Sequence, residues 1–379
     1  MRMIPLAQCD LPTMLSAWDA IAAGQTVFRS AEWLHALISV LPPDSTAMMV
    51  LDGQTPMALL GVRTARRRRI LPTRQWVLNE SGDPMPDRVA IEYNGPLTET
   101  DDAPAAVELF GALMQHKPGV DELVIRNATA GASAALRKAA AKNGWGVRLT
   151  NSAPSAVIDL NTVRASGRDI VSTSGRNTRA AVRRAFRLYE QHGPIRTARA
   201  ASASEAIEWF ERMKSLHIAS RRNRTAMHAF SNPAFEPFHR VLIRTSFERD
   251  RIDMLRVSAG NQDIGYLYNF SNDGWSMAYQ SGFAPAPDNR WKPGLVSHCA
   301  AIAFSMNRGD YRYDFLAGPA RYKNSLANNA IHMESLVAFA PRWHLKVENN
   351  LRRWRASWKA RRLGSARTEN APGDAALTN

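Results

Sequence analysis

Cysteine is nearly missing from this chain of 379 residues. Cys9 and Cys299 cannot build a disulfide framework and are too few for a zinc site. No apolar run approaches the roughly 20 residues that span a bilayer as a helix. The opening MRMIPLAQCDLP has no apolar stretch of signal-peptide length. There is no Walker loop, no HExxH, no Rossmann glycine triplet and no paired-cysteine spacing. Acidic residues are scarce beside basic ones, 34 against 49, for a net charge of +15. The expectation is a cytoplasmic chain in a reducing setting, holding no metal, whose partners are anionic: nucleic acid, a phosphorylated cofactor or a membrane surface. What is present is globular, with 45% apolar and 22% charged residues, long enough for two domains.

The positive charge is uneven. Residues 341–367 hold nine Lys or Arg against Glu348 alone, with Val347, Leu351, Trp354 and Trp358 at helical spacing. Two readings stay open for this basic amphipathic helix, taken as 341–363. Either it lies on anionic lipid, or it docks its tryptophans on the body with its charges solvated. Residues 364–379 read as a small, polar, disordered tail. Arg176, Arg179, Arg183 and Arg187 share one helical face opposite Val182, Phe186 and Tyr189, as a solvated face or the wall of an anion site. Arg66–Arg69 reads as an exposed hairpin tip.

Two stretches repeat one pattern. Met48–Gly61 and Met254–Tyr268 each read as a hairpin, with Gly53 matching Gly260. A helical pattern precedes each (Ala31–Leu41; Pro237–Arg249), and strands and a helix follow (Ala103–His116; Gly294–Asn307). Each half closes as strand, helix, strand: Glu122–Arg126, Ser133–Asn143 and Ala156–Leu160, then Tyr313–Leu316, Arg321–Leu326 and Met333–Ala338. The fold expected is α+β: an internal duplication of residues 1–160 and 161–340, each with a mostly antiparallel twisted sheet flanked by helices. The joint falls near the polar, aperiodic Asn161–Asp169.

The second half holds the strongest local signal. Pro293 opens an apolar helix whose approach carries Arg290 and Lys292, and no acid occurs from Asn289 to Gly309. A bare helix start, two cations and Gly294 describe an anion site, with Leu295 and Val296 in the first turn, for phosphate above all. The corresponding approach in the first half, Glu99–Pro104, carries three acids and repels phosphate.

Shortly afterwards come Asp314-Phe315-Leu316-Ala317-Gly318 and Tyr322-Lys323. With Arg176-Asn177-x-Arg179, Leu216-His217 through Arg221, and the Gly282 to Pro293-Gly294 turn, these make the chain resemble the Gcn5-related N-acetyltransferase (GNAT) superfamily in its tandem FemAB-like or CelD-like form. The resemblance covers roughly residues 25–340 and is specific in the second half. It implies acyl-CoA as co-substrate, or aminoacyl-tRNA in the cell-wall branch, the one setting in which nucleic acid enters. It also implies an amine acceptor such as an amino sugar of polysaccharide or cell-envelope synthesis.

Acyl transfer from a thioester needs a neutral amine, a polarised carbonyl and a route out for the thiolate. A splayed strand near Tyr279–Phe283 would offer backbone N–H groups to the carbonyl. Asp314 is the first candidate base, Tyr322 a donor to the thiolate, and Lys323 a binder of charge. His217, Arg221, Arg176, Tyr279 and Glu92 are acceptor-side candidates, Glu92 and Tyr93 by reaching across between the halves. Each also has an ordinary structural role: a cap, a packed ring, a surface cation or a core histidine. Cys299 lies in an apolar helix and reads as a small buried hydrophobe, which favours direct attack by the amine. A non-catalytic membrane-surface protein is the expectation from a different class.

Overall fold

The computed structural model describes residues 1–351 and Trp354, except residues 23, 43, 68–70, 99–103, 117–118, 222–227 and 319–320. The acidic approach at 99–103, the second half of the arginine tip (68–69), Trp358 and the C-terminal tail lie outside the described residues.

In the first half come β1 (Arg2–Pro5), α1 (Leu11–Ile21), α2 (Ala31–Ile38), β2 (Met48–Asp52), β3 (Thr55–Arg67), β4 (Leu71–Leu78), α3 (Pro104–Gln115), β5 (Glu122–Ala128), α4 (Ala130–Lys142) and β6 (Gly146–Asp159). Two short helices, α5 (Leu160–Ala165) and α6 (Ile170–Thr173), follow at the joint. They were missed because their helicity is local: Asp159 accepts from the Thr162 N–H and Asp169 from the Ser172 N–H. The second half runs α7 (Arg176–Glu190), β7 (Ile195–Arg199), α8 (Ala203–Ala219), α9 (Phe235–Ser246), β8 (Ile252–Ala259), β9 (Gln262–Asn272), β10 (Trp275–Phe283), α10 (Pro293–Arg308), β11 (Arg312–Ala317), α11 (Arg321–Leu326) and β12 (Asn329–Phe339). Residues 343–351 are helical as well.

The hairpins expected from Gly53 and Gly260 are β2–β3 and β8–β9, both glycines having positive φ. In each, the register slips shortly before the turn, at Val50/Leu51 and at Val257/Ser258. Among the described residues, twelve strands form one sheet in the order β1-β2-β3-β4-β5-β12-β6-β11-β10-β9-β8-β7. The halves exchange their last strands: β12 pairs with β5, β6 pairs with β11, and the two run antiparallel from Asn329↔Val157 to Phe339↔Gly146. That mutual pairing is why both strands are much longer than their apolar segments predict. The parallel pairs, β4 with β5 and β10 with β11, occupy equivalent places in the two halves.

The sheet is covered on both faces. One core is shared by α1 and α2 of the first half and α8 and α9 of the second. The other face carries two separate cores, one under α3 and α4, the other under α5–α7, α10 and α11. The architecture is therefore mixed α and β: one large, mostly antiparallel sheet flanked by helices.

Candidate active site

The site begins where two strands part. β10 and β11 pair only from Trp275–Met277 to Arg312–Asp314, while β10 continues along β9 to Phe283 with a register break at Tyr279. Backbone groups of β10 beyond Met277 thus lose their partner on one side, as a splayed strand should. Past the parting lies a cavity of about 330 Å³, lined by the end of α8 (His217, Ser220, Arg221), by β10 (Ala278 to Ser281, Phe283), by His298 of α10, and by Gly318, Tyr322 and Lys323.

Close packing brings α8 to this wall. A Cβ on Gly282 would stand 2.2 Å from the Met213 carbonyl oxygen and 3.1 Å from the Leu216 Cβ, so only glycine lets the helix lie this near β10. His217 follows from that contact. Its Nδ1 lies 3.0 Å from the Ser281 carbonyl oxygen, which can only accept, so Nδ1 carries the proton. Nε2 is then a bare lone pair, buried and without a partner. Burial, reinforced by Arg221 and His228, holds His217 below the usual imidazole range against the Ser281 carbonyl. It is a neutral base at physiological pH. Beside His217, the Ser281 N–H is held by the Gln280 side chain rather than by a strand, at 3.0 Å.

On the opposite wall, His298 is buried with Nε2 unpartnered, and burial drives its pKa down to about 3. Its ring stacks on Tyr322 at 4.9 Å, and burial pushes the Tyr322 hydroxyl up to about 12, so it stays protonated. Lys323 donates to the carbonyls of Phe315, Leu316 and Ala317 at 2.7, 3.1 and 3.2 Å. All three of its donors are thereby committed to closing the end of β11, where Leu316 takes a left-handed φ of 59°. Tyr279 donates to the Val89 carbonyl and lies 3.1 Å from His239 Nε2, tying this wall to the first half.

Several expected site residues stand elsewhere. Asp314 is fully buried beneath the cavity, not on its wall. Its carboxylate accepts from Tyr93, Ser155 and the Leu316 N–H, all within the joint between the halves, and burial raises its pKa. Glu92 does reach across from the first half, but both its oxygens take the Ala317 N–H, at 3.2 and 3.0 Å, and it too is buried. Burial first, opposed by that N–H, lifts Glu92 to about 7. Arg176 is exposed at the first turn of α7 and does not line the cavity. Cys299 is buried with its thiol pushed up to about 12, a packing residue as expected.

The helix start of α10 is poorer in charge than its sequence implied. Arg290 folds back on Asp288, 2.6 Å away, the acid one position before the stretch that lacks them. Lys292, in the left-handed region, places Nζ 2.7 Å from Asn289. Leu295 and Val296 turn their N–H groups to the Lys292 carbonyl, and the Val296 side chain is in the core. Gly294 packs under the Phe283 ring, which a Cβ would approach to a tight 3.0 Å. What the start keeps is an uncapped turn with no acid, the Gly294 N–H, and Lys292.

His298 was missed by sequence reasoning, whereas Ser281 falls within the strand end Tyr279–Phe283 from which backbone donors were expected. The one signal for His298 was a polar ring inside the apolar run after Pro293. Which position of that strand end presents its backbone beside His217 is not revealed by residue type.

The two strands part beside a cavity that lies between a helix start and a strand end. Residues 176–324 match the family model of the acetyltransferase (GNAT) domain. Among solved structures, the crystal structure of FemX is similar over 91% of this chain and 98% of its own, at 9% identity and TM-score 0.56. The C-terminal domain of a lysylphosphatidylglycerol synthetase, described as putative, from Agrobacterium fabrum is similar over 88% and 93%, at 11% identity and TM-score 0.54. L-PGS from Bacillus licheniformis covers the same shares at 11% identity and TM-score 0.51. At such identities these likenesses concern the fold. No curated protein sequence matches the chain.

Proposed function

We propose that the chain is an acyl-CoA-dependent N-acyltransferase in which an amine attacks the thioester directly, with His217 as general base. One observation carries the reading: an imidazole held neutral, its Nδ1–H oriented by the Ser281 carbonyl and its Nε2 lone pair unpartnered, on the wall of the cavity where β10 and β11 part.

Nε2 takes a proton from the acceptor as nitrogen adds to the carbonyl carbon. Negative charge grows on the carbonyl oxygen, and the Ser281 N–H is the donor within the cleft once the Gln280 side chain gives way. The C–S bond then breaks, and the thiolate takes the Tyr322 proton. Lys323 positions the end of β11 and does not transfer protons. Asp314 and Glu92 likewise hold the joint that shapes the cavity. The uncapped start of α10, with Lys292 and the Gly294 N–H, fits one phosphate of the CoA diphosphate. Arg290 can join it only by leaving Asp288. The acceptor, an amino sugar or related amine of polysaccharide or cell-envelope synthesis, is carried by the family resemblance.

Calorimetry with CoA tests the donor: micromolar binding weakened by Lys292→Glu is expected, and no binding would end this reading. The exposed Arg176, Arg183 and Arg187 favour aminoacyl-tRNA as the second donor. In that case tRNA binding should fall steeply with salt, since it rests on phosphate contacts.

A further inference from the structure

Among the described residues, eight large apolar side chains are exposed, and four of them lie together in the C-terminal helical segment: Trp343 (76%), Val347 (50%), Leu351 (37%) and Trp354 (63%). Their spacing of four, four and three residues puts them on one face. The opposite face is fixed to the body. Leu345 is fully buried against Phe339, Ala340 and Trp145, and Asn349 accepts from Arg148 and donates to the Leu345 carbonyl at 2.8 Å. Just before the helix, Arg342 holds Asp121 at 2.6 Å. The helix is therefore attached by its narrow side and presents its apolar stripe outward. Trp354, one of the two tryptophans in the docking reading, is exposed, and Trp358 lies outside the described residues.

Charge decides what covers the stripe. The exposed Lys346 flanks it, and residues 341–367 carry nine cations against one acid. We infer that this face lies in the interface of an anionic lipid bilayer, its apolar side chains among the acyl chains and its cations at the headgroups. A second copy of the chain is disfavoured. Two such helices would bring like charges together, and the described helical residues 343–351 form a strip only about 14 Å long, too small a patch to supply the ~1,200 Å² that a stable interface buries. The inference is independent of the acyl-transfer reading, since the helix lies outside the cavity wall.

Sedimentation of the full chain with vesicles tests it. The chain should pellet with phosphatidylcholine vesicles containing phosphatidylglycerol. It should be released by high salt and bind pure phosphatidylcholine on the order of tenfold less. The triple variant Trp343→Ser, Val347→Ser, Leu351→Ser should lose on the order of tenfold in partition, with unchanged circular dichroism because all three positions are exposed. Lys346→Glu, which removes no packing, should weaken binding to anionic vesicles alone. Absence of pelleting, equal binding to neutral vesicles, or full binding by the triple variant would overturn the inference. So would a dimer in sedimentation equilibrium that the triple variant abolishes.

Discussion

A histidine between Leu216 and Ile218 has no sequence mark that separates a packed ring from a base; its partners decide. In His217 the Ser281 carbonyl takes the only ring proton, and burial keeps the second nitrogen empty. His217→Gln should lower kcat/KM on the order of 10²-fold while CoA binding, measured by calorimetry, stays intact. Because the base must be neutral and burial lowers its pKa, kcat/KM should rise through a limb below pH 6.5 and level off by neutrality. The variant should lack that limb. Glu92 runs the other way. Its folded pKa of about 7 exceeds the ordinary 4.5, so the fold prefers the protonated acid. The resulting penalty is absent below 4.5, grows as pH rises, and is complete above about 7. Glu92→Gln, which keeps an acceptor for the Ala317 N–H, should flatten stability across that window in urea unfolding at several pH values. Asp314 seemed the stronger base in sequence, ending an apolar strand. Its three hydrogen-bond donors come from the joint, one of them, Tyr93, from 221 positions away, and no local pattern announces such partners.

At the scale of elements, α8 and β10 form the working unit. Gly282→Ala would drive a methyl group into the Met213 carbonyl. Overpacking against backbone costs about 1–3 kcal/mol, and the shift of α8 should draw His217 away from Ser281. The expected result is a lower Tm and a loss of kcat with CoA affinity largely kept. Period and turn chemistry made most elements legible: the hairpins at Gly53 and Gly260, the apolar stripe of α7, and the Pro-started α10 all lie where patterning puts them. The capped joint helices were not legible, because a single Asp contact outweighs the missing periodicity there. The uncapped start of α10 was legible only in part. Its backbone follows from Pro293 and Gly294, but the pairing of Arg290 with Asp288 is a side-chain choice made in the folded chain.

For the whole molecule, the exchanged strands join the halves into one sheet. Leu336, on a second-half strand, is buried in the core of the first half. Leu336→Ala should therefore cost about 2–5 kcal/mol and lower a single calorimetric transition common to both halves. Two separate transitions would contradict this account of the sheet. The sequence alone determined the hairpins at Gly53 and Gly260, the Pro-started α10 and the excess of cations, because these depend on composition or on neighbours within a few positions. Tertiary structure alone decided which strand lies beside which, which side of the C-terminal helix faces outward, and which imidazole sets its Nδ1 against a backbone carbonyl with Nε2 unpartnered. Those outcomes rest on contacts between residues hundreds of positions apart, or on one glycine that lets a helix and a strand touch.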